Sequence, residues 1–90
     1  MASIKIPTPL RVYADGQAVV DVEGVTVQAA LSDLVGQYPE LEQHLFNEGE
    51  LRSFVNVFLG SDDIRFLQGV ETEINEATQL RIIPSIAGGR

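Results

Sequence analysis

The sequence has 90 residues, enough for one domain with a single hydrophobic core and too few for a second. Thirteen acidic residues against six basic ones give a formal net charge of −7, which argues against nucleic-acid binding because neutralising phosphates requires clustered lysine and arginine. The absence of cysteine excludes disulfides and thiolate-held metal sites, and no apolar run approaches the ~20 residues of a membrane span. The N-terminus lacks the pattern of a secretory signal, so we expect a cytoplasmic protein with no membrane partner and no metal site.

The acidic bias has two explanations that the sequence leaves open. Negative charge spread from Asp15 to Glu76 keeps a small domain soluble, and this is the main explanation. The alternative is a negatively charged body attracted to a basic partner, which would raise the rate of encounter. The salt dependence of association separates the two.

The first segment alternates in polarity and predicts a half-buried strand. One parity of this segment consists of Ile4, Ile6, Thr8, Leu10 and Val12. Pro7 and Pro9 cannot donate hydrogen bonds to a neighbouring strand, so the strand is expected to end or become an edge near Pro7. Asp15-Gly16 is a strong hairpin signal, and the alternation over residues 17–23 predicts a second, antiparallel strand.

A helix is predicted after the second strand. Gly24 breaks the strand, and Thr26 is a suitable N-cap for the helix. The apolar residues that follow have helical spacing and form one stripe, made by Val27, Ala30, Leu31, Leu34, Val35 and Tyr38. Pro39 ends the helix, because the residue before proline avoids helical angles. Residues 41–46 predict a short helical turn or a packed loop, followed by an exposed segment over residues 47–50.

The second half of the chain contains the clearest predicted strand, over residues 53–59. Alternation places one set of its side chains on one face and the other set on the opposite face: Val55, Val57 and Leu59 against Phe54, Asn56 and Phe58. Residues 60–63 indicate a turn, and residues 64–66 a short returning strand. Residues 69–78 indicate a loop or a single helical turn. Residues 79–83 predict the last strand, which Pro84 stops.

This order of elements predicts an α+β protein with a β-grasp, ubiquitin-like fold: a mixed sheet of 4–5 strands with one main helix across one face. The last strand is expected beside the first and parallel to it. The helix is expected to cover the face formed by Ile4, Ile6, Val20, Val55, Val57 and Ile82. Residues 1–84 would form the domain, and residues 85–90 a flexible tail.

The tail contains paired glycines, Gly88 and Gly89, one residue before Arg90. Glycine has no Cβ, so the pair makes a thin and mobile backbone. Such a backbone can enter a channel that excludes other dipeptides. We therefore expect the tail to be inserted into another protein's active site, and its residues are Pro84, Ser85, Ile86, Ala87, Gly88 and Gly89.

With this order of elements, the segment Ile-Ile-Pro-Ser-Ile-Ala-Gly-Gly over residues 82–89 resembles the ending of the ubiquitin-like sulfur carriers, the MoaD/ThiS family. Ubiquitin itself shares the fold and the paired glycines. Within the family, residues 6–8, 10–11, 52–58 and 63–66 look most like the mycobacterial-type carrier, which supplies sulfur for cysteine biosynthesis. The resemblance covers essentially the whole chain.

The resemblance implies chemistry at Gly89 that partner enzymes perform. An adenylating, E1-like enzyme would use ATP and Mg²⁺ to activate Gly89, and sulfur would displace AMP to leave a thiocarboxylate for a downstream synthase. The chain would bind no cofactor and would act as a protein co-substrate, monomeric when free, and not as an enzyme. The alternatives are the small subunit of molybdopterin synthase, a carrier for thiamine thiazole synthesis, a ubiquitin-like protein modifier and a plain interaction domain.

Arg90 departs from the family pattern, because family members of this type end on the second glycine. While Arg90 is attached, Gly89 has no carboxylate to activate. Three explanations remain open: a protease, such as a metalloprotease, removes Arg90; Arg90 is an artefact; or the protein is never activated and only binds. We favour removal between Gly89 and Arg90.

A partner-contact surface is predicted beside the tail. By strand parity, Phe54, Phe58 and Ile83 point to the sheet face away from the helix, where Arg81 joins them. Exposed apolar patches often mark interfaces. The alternative, held equally, is that Phe54 or Phe58 belongs to the core under residues 39–50.

Overall fold

The structure is a computed structural model that describes residues 2–52 and 55–84. Within these ranges the strands are β1 (Ala2–Lys5), β2 (Val19–Val22), β3 (Phe46–Asn47), β4 (Glu50–Leu51), β5 (Val55–Leu59), β6 (Asp62–Asp63) and β7 (Gln79–Pro84). The α-helices are α1 (Val27–Gln37) and α2 (Glu42–Leu45). Short 3₁₀ helices span Thr8–Ala14, Pro39–Leu41, Ile64–Phe66 and Gly69–Glu71.

The main sheet has five strands in the order β2-β1-β7-β5-β6. β7 lies parallel to β1 on one side and antiparallel to β5 on the other, so the last strand of the chain is central in the sheet. β2 pairs antiparallel with β1, and β3 and β4 form a separate two-stranded ladder. The predicted β-grasp topology, with the last strand beside the first and parallel to it, is confirmed.

Helix α1 covers one face of this sheet and closes the core. Its first turn is capped by the Thr26 hydroxyl, which accepts a hydrogen bond from the Ala29 backbone N–H at 3.1 Å. The buried residues of α1 are Val27, Ala30, Leu31 and Leu34, and those of the facing sheet include all six predicted positions, Ile4, Ile6, Val20, Val55, Val57 and Ile82. Burial of each such aliphatic side chain stabilises the fold by about 1.5–3 kcal/mol.

Gly24 lets β2 pass closely over the first turn of α1. Its φ is +149°, and a Cβ added there would lie 2.7 Å from the Ala29 Cβ and 2.8 Å from the Ala30 backbone nitrogen. No side chain fits at that separation. The residue that breaks the strand in the sequence is therefore also required by packing.

The first strand ends at Lys5, close to Pro7 as predicted, and Thr8–Ala14 forms a 3₁₀ helix that the sequence did not predict. Proline suits the first turn of a helix, since its missing N–H would have no partner there. Asp15 and Gly16 have φ of 57° and 78° and form a tight turn, closed by the Gln17 backbone N–H, which donates to the Ala14 carbonyl at 2.9 Å. This turn follows the 3₁₀ helix and does not join two paired strands directly, so it is not the predicted hairpin turn. β1 and β2 are nevertheless antiparallel, as predicted.

The short strand predicted over residues 64–66 is also wrong. That segment is a 3₁₀ helix, begun by the Asp63 carboxylate, which accepts a hydrogen bond from the Arg65 backbone N–H at 2.9 Å. The returning strand is β6, two residues earlier, and Ile64 is buried. The helical turn predicted within residues 41–46 is present as α2.

Candidate functional site

The sheet face opposite α1 is open, and β5 and β7 supply its centre. Along β7, Arg81 and Ile83 alternate with buried Leu80 and Ile82, and the Ile83 side chain is 40% exposed. Along β5, Asn56 and Phe58 alternate with buried Val55 and Val57. Strand parity therefore places Phe58, Arg81 and Ile83 together, as the sequence predicts.

Arg81 and Phe58 form a contact across the two strands. They are direct partners in the β5–β7 register, and the Arg81 Cζ lies 5.8 Å from the centroid of the Phe58 ring. This is within the range of a cation–π interaction. The Arg81 Nη2 also donates to the Gly60 carbonyl at 3.3 Å. The guanidinium is thus held at the surface by the ring and by the β5–β6 turn.

Phe58 is half-buried and is not among the described side chains that pack against the hydrophobic core cluster. Its ring forms part of the open face next to β7.

A polar network that the sequence analysis did not assign lies beside this patch. The Arg65 Nη1 donates to the Asn56 Oδ1 at 2.8 Å, and the Arg65 Nη2 donates to the Val55 carbonyl at 2.9 Å. The Asn56 Nδ2 donates in turn to the Ile83 carbonyl at 3.2 Å. The polar residue in the middle of an otherwise apolar strand was the available signal. The network ties the 3₁₀ helix of residues 64–66 to β5 and β7.

The predicted tail begins where β7 ends. Pro84 is the last residue of β7 and pairs in register with Val55. The other tail residues, Ser85, Ile86, Ala87, Gly88 and Gly89, lie outside the described residues, as do Phe54 and Arg90. The roles predicted for them, including attachment at Gly89 and cleavage before Arg90, stay predictions.

Over residues 2–52 and 55–84, no group of three or more histidine or acidic side chains is arranged to hold a metal ion. None of the helices in these ranges has the length and apolar character needed to cross a membrane.

The architecture defines a ubiquitin-like, β-grasp protein, and residues 4–89 match the model of the ThiS family. The chain belongs to this family. The sulfur carrier protein CysO of Mycobacterium tuberculosis is 36% identical over 90 residues, which cover 97% of each chain. A chain in the crystal structure of the Amycolatopsis orientalis BexX/CysO complex has a TM-score of 0.90 at 32% identity, covering 99% of this chain and 100% of that one. The small archaeal modifier protein 1 of Methanosarcina acetivorans has a TM-score of 0.88 at 27% identity, covering 98% and 95%.

The family predicted from the sequence is therefore confirmed. The relatives are carriers and modifiers by name, not catalysts, which agrees with the expectation that this chain is a protein co-substrate.

Proposed function

We propose that this protein is a ubiquitin-like sulfur carrier that holds sulfur as a thiocarboxylate on Gly89. The main support is the match to the ThiS family, which extends to residue 89 and so includes both glycines of the tail. The likeness to CysO, a protein named as a sulfur carrier, supports the same function over nearly the whole chain. The folded domain is then the part that partners recognise, and the chemistry takes place at the end of the backbone.

Activation must come from a partner, because a free α-carboxylate has a pKa near ~3.5 and is a poor acceptor for a nucleophile at neutral pH. In an adenylating, E1-like enzyme with ATP and Mg²⁺, a carboxylate oxygen of Gly89 attacks the α-phosphate and pyrophosphate leaves. Hydrosulfide then adds to the acyl carbon, AMP leaves with the bonding electron pair, and loss of the thiol proton gives the thiocarboxylate. The carrier itself holds no cofactor in this scheme.

The tail is long enough to deliver this group to a second enzyme. Residues 85–89 reach roughly 17 Å when extended at ~3.4 Å per residue, so the domain remains outside while Gly89 enters a pocket. The likeness to CysO favours cysteine biosynthesis as the destination, with a downstream synthase as the sulfur acceptor. We assign the reaction to the cytoplasm, where ATP is supplied.

Removal of Arg90 is part of the proposal, since Gly89 has no carboxylate while the peptide bond to Arg90 stands. A metalloprotease is the expected agent. Cleavage would then act as the step that makes the carrier competent.

The test is intact mass spectrometry after incubation with ATP, Mg²⁺, sulfide and the activating enzyme of the same host. The chain ending at Gly89 is expected to gain the mass difference between sulfur and oxygen. The chain that retains Arg90 serves as the matched control and is expected to stay unchanged. The proposal is contradicted if the activating enzyme adenylates another carrier but leaves the mass of the Gly89-ending chain unchanged.

A second candidate function is protein modification through Gly89. The likeness to small archaeal modifier protein 1 favours it, because that relative is named as a modifier. Covalent adducts between this chain and lysines of larger proteins, recovered from the native cell, would support modification. Their absence alongside a thiocarboxylate species would favour the carrier.

A further inference from the structure

The strand ends from which the tail leaves the sheet border a basic groove. β1 and β7 are parallel, so both end at this edge, with Lys5 next to Arg81 in the register. A groove of about 220 Å³ opens there, and its walls include Lys5, Thr8, Arg11, Arg81 and Ile83. Three of the six basic residues of an acidic chain thus line one groove. No acidic residue is among the described residues that line it.

Two of these cations are available to a ligand. Lys5 is exposed and has no ion pair or side-chain hydrogen bond with any residue in the ranges 2–52 and 55–84. The Arg11 Nε donates to the Ile6 carbonyl at 3.0 Å, which fixes the guanidinium at the groove wall. Its terminal nitrogens have no partner among those same residues. The Arg81 guanidinium turns to Phe58 and Gly60, so its charge lies on the adjoining open face.

The opposite ends of the strands have the opposite charge. A groove of about 320 Å³ there is lined by Glu23 and Glu76, together with Ala2 at the start of β1, and the described residues around it include no basic one. The two grooves therefore carry opposite charge. Because the Debye length is ~8 Å at physiological ionic strength, a docked segment responds mainly to the local charges of one end and less to the net charge of −7.

We propose that the groove formed by Lys5, Thr8, Arg11 and Ile83 binds a carboxylate-bearing segment of the activating enzyme and so orients the tail toward that enzyme. Charge complementarity argues for an acidic segment as the occupant. The apolar wall at Pro7 and Ile83 argues for a peptide over a small inorganic anion, because it offers area for side-chain stems. The identity of the partner rests on the proposed function.

The test compares variants of the Gly89-ending chain in a calorimetric titration against the activating enzyme of the same host. Lys5→Glu is expected to weaken binding by about tenfold or more and to reduce the salt dependence of the affinity, since the reversed charge faces the partner's carboxylates. Lys5→Gln is expected to give a smaller loss. Thermal unfolding checks that the variants fold, which the exposure of Lys5 favours.

The control variant carries Ser32→Asp and Gln43→Glu, two exposed positions away from the groove that give the same change in net charge. It is expected to bind within about twofold of the parent, because distant exposed charges are screened.

Equal losses in the control and in Lys5→Glu would overturn the inference while leaving thiocarboxylate formation, and so the proposed function, intact. A parent chain that neither binds the enzyme nor forms a thiocarboxylate would overturn both. Loss of a carrier dimer in Lys5→Glu would assign the groove to a second copy and contradict the proposal.

Discussion

At the scale of single residues, large apolar side chains differ widely in how far the fold buries them. Phe58 is half-buried beside Arg81, and Phe66 is 86% exposed in the 3₁₀ helix that follows β6. Leu34, by contrast, is fully buried in α1. The size of a residue therefore does not by itself predict how much its substitution lowers the free energy of unfolding.

Phe58→Ala tests the open-face patch. We expect a loss of about 1 kcal/mol in the free energy of unfolding, below the 3–5 kcal/mol of a fully buried phenylalanine, together with weaker binding to the activating enzyme. Urea unfolding and calorimetric titration measure the two effects. Leu34→Ala is the matched control and is expected to lose about 2–5 kcal/mol of stability. A loss of that size in Phe58→Ala would place the ring in the core and contradict our interpretation.

Two glycines provide a second test at this scale, because the same substitution should have opposite effects. Gly24→Ala is expected to destabilise the protein by more than ~1 kcal/mol, since the new Cβ meets the first turn of α1 at 2.7 Å. Gly36→Ala lies within α1 with nothing within 4 Å of the added Cβ, so it should stabilise by about 0.5–1 kcal/mol. Thermal unfolding of both variants measures these changes in stability. A Gly24→Ala variant as stable as the parent would contradict the close packing.

At the scale of elements, α1 also covers the outer edge of β2. The Asp33 Oδ2 accepts hydrogen bonds from the Glu23 backbone N–H at 3.1 Å and from the Gln37 Nε2 at 3.0 Å. The Gln37 Nε2 donates as well to the Asp21 carbonyl at 2.9 Å. Unpaired edge strands are templates for aggregation. The helix therefore protects the sheet on the side where β2 has no neighbouring strand within residues 2–52 and 55–84.

Asp33→Ala tests this edge cover. We expect about 1 kcal/mol less stability and faster aggregation on heating, because the Glu23 backbone N–H loses its acceptor and the Gln37 Nε2 loses one of its two acceptors. Gln28→Ala is the control and should change little, because Gln28 is exposed on the same helix and its side chain has no hydrogen bond with any residue that the structure describes. Chemical denaturation and light scattering measure the two properties. Identical behaviour of the two variants would show that the network has no protective role.

The sequence predicted elements well where one periodicity extended over a whole segment. The stripe of α1 and the parity of β5 and β7 were sufficient to place Leu34, Val57 and Ile82 in the core. The 3₁₀ helix of residues 8–14 was not predicted, because their alternation of apolar and polar residues matches a strand, while their conformation depends on distant contacts. Tyr13 of this segment stacks on His44 at a centroid distance of 4.1 Å, which no local pattern reveals.

The candidate site was predictable only where the alternation along a strand decides which face a residue lies on. Strand parity brought Phe58, Arg81 and Ile83 to one face, since the register of β5 and β7 follows from their alternation. The Arg65 network and the basic groove were not predicted. Both depend on pairings between segments far apart in the chain, such as Lys5 with Arg81.

At the scale of the whole molecule, the first and last strands, β1 and β7, lie side by side and parallel, so Ala2 lies at one end of the pair and Pro84 at the other, and the grooves at the two ends carry opposite charge. The two ends of the strand pair are therefore different surfaces, and the tail begins at the end that has the basic groove. Such polarity would let a partner recognise the direction of the domain as well as its surface.

The central position of β7 also has a mechanical consequence. β7 is hydrogen-bonded along both sides, to β1 and to β5, so force applied to the tail acts along the strand axis and shears many hydrogen bonds at the same time. An edge strand pulled sideways would instead peel open one bond after another. In the proposed function, an enzyme that draws Gly89 into its catalytic channel would pull against a strand that is paired along both sides, and the sheet as a whole would resist the force.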